Sequence, residues 1–428
     1  MPSTRQILIL MSDTGGGHRS AAQAIADACA RTLSGKYSVT LEDAFVRCAL
    51  WPVCTAPQLY LPTITFAEWL YAFAFHVTNA RTMARLLTYL LYPFTAGGLR
   101  RLFARTQPDL VVSVHPLWTT NPLRVMRAMN LRVPFVTVVT DLVDGHAAWF
   151  DRATDLCLLP NAESCARAQQ FGIPEGKLRV VGLPVSLKFL TNERTKSEYR
   201  AQLGIADRTT ILLVGGGEGM GPLYEIARAI DRARPPAQFV VIAGRNESLY
   251  QKLQATAWQI PVSVQRFVTN MPEWMRASDV IITKAGPGTI SEALACGLPI
   301  LLSGFLPGQE EGNVEFVERN GAGVMRQEPE EIARTLSEWL TPGNDALARF
   351  ATRAQQLARP RAALEIAEIL DQVLTAPHPT PPNLLSPLLN FAQERGEGEG
   401  GRGKGVRGEV QHLPALVGFG DTFACRLR

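Results

Sequence analysis

Short apolar runs alternate with longer segments of helical periodicity along most of this chain. Apolar runs that predict buried strands occur at 6–12, 109–115, 135–141, 156–160 and 178–184. The segments between them favour amphipathic helices, for example RSAAQAIADACART at 19–32. Strands and helices in alternation predict an α/β protein with a largely parallel sheet covered by helices on both faces.

The same pattern starts again near residue 209. Further apolar runs follow at 209–214, 238–244, 262–268, 279–283 and 300–302. We therefore expect two doubly wound domains that face a cleft, with ligands at the carboxyl ends of the strands. The predicted boundaries are residues 1–190 for the first domain, 200–350 for the second and 351–374 for a C-terminal helical segment. A polar linker is expected within 186–200.

From residue 375 the chain changes character. It becomes rich in proline and then in glycine, as in TAPHPTPPNLLSP and ERGEGEGGRGKGVRGEV. Such segments cannot bury a core, so 375–428 is predicted to be disordered.

Overall composition narrows the class of protein. Of 428 residues, 46% are hydrophobic and 19% charged, and the net charge is only +4. We therefore expect a globular protein without a nucleic-acid partner. The seven cysteines form no CxxC pair, which favours free thiols over disulfides or zinc. The strand at 6–12 follows MPSTR directly, so we expect no signal or transit peptide.

The segment KAGPGTISEALACGLPI (284–300) carries the clearest chemistry. A strand ends at Lys284, glycines at 286 and 288 make a tight turn, and Thr289 is expected to cap the following helix. The free N–H groups at such a helix start attract phosphate. Glu292 lies one turn later, where its carboxylate can accept hydrogen bonds from a ribose diol.

One strand further on, PGQEEGN (307–313) offers Gln309, Glu310 and Asn313, which suit sugar hydroxyls. A diphosphate, a ribose and a hexose in sequence describe a nucleotide-sugar donor. An ordinary α/β turn would explain the glycines alone, but it would not explain this polar loop.

Two motifs in the first domain are also candidates. DTGGGHRS (13–20) places His18 behind a glycine turn at the end of a strand, where its imidazole could remove a proton from an alcohol. TDLVDGHAAWF (140–150) contains Asp141, His146 and Trp149. Its residues are either an ordinary loop with a packing tryptophan or part of an acceptor site. No spacing indicates a metal site.

GGGEGMGP (215–222) opens the first helix of the second domain. No acidic residue ends the next strand, which argues against a dinucleotide-binding dehydrogenase.

Together, MSDTGGGHRSAAQAI (11–25), KAGPGTISEAL (284–294) and PGQEEGN (307–313) resemble glycosyltransferase family 28, and within it the monogalactosyldiacylglycerol synthases. The resemblance implies a GT-B fold and transfer of galactose from UDP-galactose to 1,2-diacylglycerol with inversion. It implies no tightly bound cofactor and no metal. His18 would be the general base, with Asp141 as the fallback base and with His146 and Trp149 near the acceptor. The implied donor-binding residues are Gly16, Gly17, Gly216, Gly217, Lys284, Gly286, Gly288, Thr289, Glu292, Gln309, Glu310 and Asn313.

Three alternatives stay open at this point. The same lipid could receive glucose from UDP-glucose, because the two hexoses differ in the orientation of one hydroxyl. An undecaprenyl-linked acceptor is more distant. A catalytically silent protein that binds nucleotide sugar or lipid is a third, against which the intact His18 and GQEEGN argue.

Residues 51–105 combine many aromatic side chains with Arg100, Arg101 and Arg105. An ordinary helical core is one interpretation. We favour docking of Trp69 and Phe73 at a membrane surface containing anionic lipid, because diacylglycerol must be reached in a bilayer. Prolines interrupt the region, so a membrane-spanning helix is not expected. The predicted location is the cytoplasmic face of the cell membrane, with peripheral attachment.

Overall fold

A computed structural model describes residues 4–14, 16–191 and 193–376. The predicted disordered tail lies, from residue 377 onward, outside the described residues. Within the described part, all twelve strands belong to two parallel sheets. In chain order they are β1 (Arg5–Met11), β2 (Tyr37–Asp43), β3 (Leu110–Ser113), β4 (Phe135–Val138), β5 (Leu156–Leu159), β6 (Leu178–Val180), β7 (Thr210–Val214), β8 (Gln238–Ile242), β9 (Val262–Gln265), β10 (Val280–Lys284), β11 (Ile300–Gly304) and β12 (Gly323–Met325).

Helices cover the sheets. Those of the first half are α1 (Gly17–Thr32), α2 (Ala44–Cys48), α3 (Ala56–Phe66), α4 (Glu68–Thr78), α5 (Arg81–Thr106), α6 (Thr120–Ala128) and α7 (Ala162–Gln170). The second half follows with α8 (Lys196–Gln202), α9 (Leu223–Ala233), α10 (Glu247–Gln254), α11 (Met271–Ala277), α12 (Pro287–Ala295), α13 (Glu311–Arg319), α14 (Pro329–Trp339), α15 (Ala346–Leu357) and α16 (Ala362–Thr375).

The strand order places the ligand-binding edge. The first sheet runs β2-β1-β3-β4-β5-β6 and the second β12-β11-β10-β7-β8-β9. The order reverses between β1 and β3, and again between β7 and β10. In doubly wound sheets a crevice opens outside the carboxyl ends of the strands at such a reversal. The motifs at 13–20, 215–222 and 284–294 follow β1, β7 and β10, so all three begin at these crevices.

The predicted α/β architecture of two doubly wound units is confirmed. Each strand predicted from an apolar run is present, and β2 and β12 are additional. Buried aliphatic side chains line both faces of β1, because helices cover a parallel sheet on both sides.

The connection between the halves differs from the predicted linker at 186–200. Tyr199 and Arg200 are buried on α8, and Arg200 bonds Asp279 of the second half at 2.6 Å. The stretch is therefore not free of core residues. A buried arginine needs a carboxylate partner, and Asp279 lies 79 residues further along the chain.

The last two helices pack on different halves. Residue 351 falls inside α15, whose Ala354 joins the core of the second half. Helix α16 returns to the first half, where Leu364, Ile366 and Leu370 pack in the same core as α1. The C-terminal helical segment thus ties the two halves together.

Candidate active site

His18 lies at the start of α1, directly behind the glycine turn. Gly16 precedes the helix with φ of 78°, a left-handed conformation that glycine adopts without strain. The Nδ1 atom of His18 is 2.8 Å from Oγ1 of Thr140, whose hydroxyl in turn points to the carbonyl of Val114 at 3.5 Å. With the Thr140 hydroxyl donating to Val114, Nδ1 carries the proton, and the lone pair of Nε2 has no hydrogen-bond partner among the described residues.

Burial lowers the pKa of His18 below its ordinary value, although the negative charge of Asp141 opposes the shift. The ring of His115 lies 4.6 Å from that of His18, and burial holds the pKa of His115 well below its usual range. Both imidazoles are therefore neutral near pH 7, as a general base requires.

Asp141 follows β4 and is only 3% exposed. Its Oδ2 accepts a hydrogen bond from Nε1 of Trp149 at 2.6 Å, and its Oδ1 accepts one from Nε2 of Gln309 at 3.1 Å. Both oxygens are thus engaged. Each oxygen keeps a second lone pair, so Asp141 can still accept a proton as the fallback base.

The structure places Trp149 and His146 beneath the cleft rather than along its surface. Trp149 is fully buried, and its indole N–H donates to Asp141. His146 is also buried: its Nδ1 accepts from the amide of Ala148, and its Nε2 lies 3.1 Å from Oγ1 of Thr78. Burial lowers the pKa of His146 to about 4, so it stays neutral.

Helix α12 begins earlier than predicted. Gly286 is its cap residue and Pro287 its first residue, so Thr289 lies in the first turn and does not cap the helix. The reason is that proline suits the first helical position, where its missing N–H is not needed. A side chain at Gly288 would meet no atom within 4 Å, so space is open beside the helix start.

Glu292, on α12, is half-buried, and burial raises the pKa of its carboxyl group to about 7. In the described part of the chain, no basic side chain or hydrogen-bond donor stabilises the ionised carboxylate against the effect of burial. A half-buried carboxylate of this kind is suited to hydroxyl groups of a ligand.

The loop between β11 and α13, together with the first turn of α13, is tied to the end of β10 and the turn that follows it. Glu310 is buried and accepts from Nζ of Lys284 at 2.5 Å and from the amide of Leu306 at 2.9 Å. Asn313 donates from Nδ2 to the carbonyl of Ala285 at 2.9 Å, and its buried Oδ1 has no hydrogen-bond partner among the described residues. Glu310 therefore holds Lys284, and Asn313 keeps one acceptor free.

The glycine loop after β7 is a second place where a ligand could lie close to the backbone. Gly216 has φ of 70°, and a Cβ at this position would meet nothing within 4 Å, whereas a Cβ at Gly219 would clash with the carbonyl of Ala243. Gly219 is thus needed for packing, and Gly216 faces open space. Because β7 and β10 are neighbours, this loop and the start of α12 share one edge of the sheet.

Hydrogen bonds join the halves across the cleft. Besides the bond from Gln309 to Asp141, the amide of Gly312 donates to Oδ2 of Asp144 at 2.5 Å. The structure thus brings the predicted sugar loop at 307–313 together with the predicted acceptor loop at 140–150.

Tyr60 on α3 and Tyr71 on α4 are further candidate site residues, which the sequence analysis did not single out. Tyr71 donates from its hydroxyl to Oε1 of Gln309 at 2.6 Å, and its ring centroid lies 5.9 Å from that of Tyr60. Burial, together with the nearby charges of Glu310 and Asp141, raises the pKa of both phenols. Helical spacing of residues 71, 75 and 78 was the available signal, but apolar residues on the other face obscured it.

The outer surface of α2–α5 is unusually apolar. We call it the apolar face; its exposed large side chains are Val46, Leu50, Trp51, Leu59, Leu61, Phe66, Trp69, Leu70, Phe73, Val77, Met83, Leu86, Tyr89 and Leu90. Trp69 and Phe73 are 73% and 63% exposed, so they are not core residues. In the described part of the chain, no helix is both long and apolar enough to cross a bilayer.

The arginines near this face differ from one another. Arg100 and Arg101 are exposed. Arg105 instead forms an ion pair with Glu42, which also pairs with Arg47 at 3.3 Å. Arg105 is therefore ion-paired, and the one carboxylate that it shares with Arg47 offsets only part of the positive charge of the two guanidinium groups.

Comparison with known proteins confirms the family resemblance. Residues 18–185 match the family model for monogalactosyldiacylglycerol (MGDG) synthase, and residues 210–372 match the glycosyltransferase family 28 C-terminal domain. A probable monogalactosyldiacylglycerol synthase 2, chloroplastic, from Oryza sativa subsp. japonica is 41% identical over 88% of this chain and 82% of its own length. Monogalactosyldiacylglycerol synthase 2, chloroplastic, from Arabidopsis thaliana is 40% identical, over 86% and 81%.

Solved structures share the fold. MurG of Acinetobacter baumannii superposes with a TM-score of 0.54 at 15% identity, covering 86% of this chain and 99% of its own. The MnaA–UDP structure from S. aureus gives 0.58 at 14% identity, covering 88% and 99%. The predicted GT-B fold is confirmed.

The predicted location is wrong. The relatives carry the word chloroplastic in their names, which contradicts the cytoplasmic face of the cell membrane. Residue patterns that favour a membrane surface do not distinguish one membrane from another.

Proposed function

The chain belongs to the monogalactosyldiacylglycerol synthases, and from this membership we propose that it transfers galactose from UDP-galactose to the free hydroxyl of 1,2-diacylglycerol with inversion. The observation that carries the proposal is the bond from Gln309 to Asp141 at 3.1 Å. It brings the loop suited to a hexose beside the residue whose charge acts on His18. Donor and base then meet at one place in the cleft.

The donor is proposed to lie along α12. The open N–H groups at the start of α12 and the space beside Gly288 and Gly216 suit the diphosphate. Glu292 would accept hydrogen bonds from the ribose diol. Gln309 and the unpaired Oδ1 of Asn313 would contact the hexose.

Lys284 and Glu310 are proposed to act as a pair. The ammonium group of Lys284 would lie 3.3 Å from a Cβ at Gly286, which places a positive charge next to the phosphate end of α12. Glu310 holds that ammonium group in place and is itself fixed by the amide of Leu306. Glu310 would therefore support the diphosphate indirectly, besides its proposed contact with the hexose.

The chemical step is a single displacement. Nε2 of His18 takes the proton of the lipid hydroxyl while that oxygen forms a bond to the anomeric carbon. The bond from this carbon to the β-phosphate oxygen breaks, and its electron pair leaves with UDP. Helix N–H groups and Lys284 stabilise the charge that develops on UDP. Because attack and departure occur on opposite faces, an α-linked donor yields a β-linked lipid.

The acceptor lies in a bilayer, and the apolar face is the proposed contact with it. Trp69 and Phe73 would enter the headgroup layer, and Arg100 and Arg101 would lie near anionic lipid. Helix α4, which carries both aromatic residues, also contacts the donor loop through Tyr71. A docked molecule would therefore hold its cleft close to the lipid surface.

Competition between sugar nucleotides tests the proposal. Purified protein receives UDP-galactose and UDP-glucose at equal concentration with vesicles that contain diacylglycerol, and the product is analysed by mass and by NMR of the anomeric linkage. We expect mainly galactolipid with a β linkage, and about 10²–10⁴-fold slower formation of it by the His18→Ala variant. Preferential incorporation of glucose, or an α linkage, would overturn the proposed donor or the proposed stereochemistry.

A further inference from the structure

Helix α4 has two different faces. Trp69 and Phe73 point outward and are largely exposed, whereas Tyr71, Phe75 and Thr78 face the protein at helical spacing. The inner face contacts both halves of the cleft. Thr78 and Phe75 touch His146, and Phe75 also packs on Gly308 so closely that a Cβ there would lie 3.1 Å from its ring.

Tyr71 determines which way the side-chain amide of Gln309 points. Its hydroxyl donates to Oε1 of Gln309 at 2.6 Å, while Nε2 of Gln309 donates to Asp141 at 3.1 Å. The carbonyl end of the amide faces a donor and the nitrogen end faces a carboxylate. A rotation of the amide by 180° would break both bonds. One N–H of Nε2 and one lone pair of Oε1 remain for a ligand.

The surroundings of Tyr71 keep it a donor. Burial and the nearby charges of Asp141 and Glu310 raise the pKa of its phenol, so the hydroxyl stays protonated over the range in which enzymes work. Tyr60 packs edge-on against it with the rings at 81°. The hydroxyl is thus held in place by a neighbouring ring and by its own helix.

We propose that Tyr71 is a positioning residue for the donor sugar: its hydroxyl holds the Gln309 amide in the orientation that binds the hexose. This rests on the proposed function, in which Gln309 contacts the hexose. Tyr71 itself would contact neither the uridine nor the phosphates, so its effect should be confined to the sugar.

Calorimetry on the full chain tests this with two ligands, UDP and UDP-galactose. Tyr71→Phe removes only the hydroxyl, and we expect it to weaken UDP-galactose about three- to tenfold with UDP unchanged. In a Gln309→Ala background the same substitution should cause no further loss, because its effect passes through Gln309. Tyr89→Phe is the matched control: Tyr89 is 65% exposed on α5, and its ring stacks on Arg124.

The outcomes separate the two proposals. If Gln309→Ala leaves the affinity for UDP-galactose unchanged, the hexose contact fails and the role of Tyr71 fails with it. If Gln309→Ala weakens UDP-galactose but Tyr71→Phe does not, only the positioning role is overturned. An equal loss of UDP and UDP-galactose in Tyr71→Phe would also overturn it, because that pattern indicates a general disturbance of the fold.

Discussion

The indole nitrogen of Trp149 lies 2.6 Å from Oδ2 of Asp141, and this bond fixes a buried carboxylate beside His18. With Gln309 bonded to the other oxygen, Asp141 is held from both sides. Its negative charge opposes the effect of burial on the pKa of His18. On the proposed mechanism, we expect Asp141 to stabilise the imidazolium that would form when His18 takes a proton.

Asp141→Asn is the variant that tests this role. Two N–H donors point at the carboxylate, and an amide can accept from only one of its two ends, so one donor would face another. We expect turnover to fall roughly ten- to 150-fold, for a loss of ~1.5–3 kcal/mol, while UDP binding is kept. Steady-state kinetics and calorimetry with UDP give both values. Unchanged turnover would show that the charge of Asp141 is not needed.

His18→Ala should lose about 10²–10⁴ in turnover, because general-base catalysis contributes that much. UDP binding should remain, since Nδ1 of His18 bonds to Thr140 in the first half of the chain. A variant that keeps more than half of the activity would refute the role of His18.

The pH profile of the unmodified protein gives a second test of His18. Its pKa is lowered, so the neutral base persists below pH 6.5, and the acid limb of turnover should lie below that value. Turnover should fall as pH decreases through this limb. An acid limb above pH 6.5 would show that a different group titrates.

Much of this fold could be predicted because strands of a buried parallel sheet are continuous apolar runs. The runs at β1 and β10 are visible for this reason, and the glycines after them mark the ligand loops. The return of α16 to the first half could not be predicted. Its apolar face could pack on either sheet, because hydrophobic periodicity predicts which face of a helix is buried but not the surface on which it packs.

The grouping of the candidate site residues could be predicted where they follow strands directly in the sequence. His18, Glu292 and Gln309 lie in loops or first helical turns that follow strands, so topology brings them to one cleft. Tyr71 was missed because its partner Gln309 lies 238 residues away and because α4 is apolar on both faces. The buried face of a helix is normally recognised because the opposite face is polar, but the outer face of α4 carries Trp69 and Phe73.

Glu292 should make donor binding depend on pH. Its carboxyl pKa is about 7, and a ribose diol donates to the ionised form, so affinity should fall roughly tenfold from pH 8 to pH 6. UDP-galactose is the proper ligand, because both of its phosphates are esterified and do not titrate in this range. Glu292→Gln should bind ten- to 150-fold more weakly at pH 8, for ~1.5–3 kcal/mol, and show little pH dependence. A wild-type affinity that is flat across this range would contradict the assignment.

The raised pKa of Glu292 should lower the free energy of unfolding at high pH. Its pKa of about 7 in the folded state exceeds the unfolded value of ~4.3, so the native state holds more protons between these values. Stability therefore falls as pH rises through this window. Glu292→Gln should stabilise the protein by ~1–3 kcal/mol at pH 8 and by less at pH 5. Thermal unfolding at both pH values measures this difference. A Glu292→Gln variant that is less stable than the wild type at pH 8 would argue against an unfavourably buried carboxylate.

Membrane binding should have an apolar and an electrostatic part, which salt can separate. Vesicle co-sedimentation with neutral and anionic lipids, at low and high salt, measures both. Trp69→Ser with Phe73→Ser should remove most of the salt-resistant binding, because aromatic insertion is not screened. Arg100→Gln and Arg101→Gln should each lower binding to anionic vesicles about fivefold at low salt, for ~1 kcal/mol per arginine.

Matched controls decide whether this surface is specific. Met129→Ser changes an apolar side chain that is 36% exposed at the end of α6, outside the apolar face, and should bind vesicles like the wild type. Arg105→Gln should have a smaller effect on anionic vesicles than Arg101→Gln, because the ion pair with Glu42 already offsets part of the charge of Arg105. Trp69 and Phe73 contribute little to the core, so their replacement by serine should leave UDP affinity and thermal unfolding unchanged. Vesicle binding that does not depend on lipid charge and is unchanged by the loss of both aromatic residues would contradict the proposal. The apolar face would then be covered by something other than a bilayer.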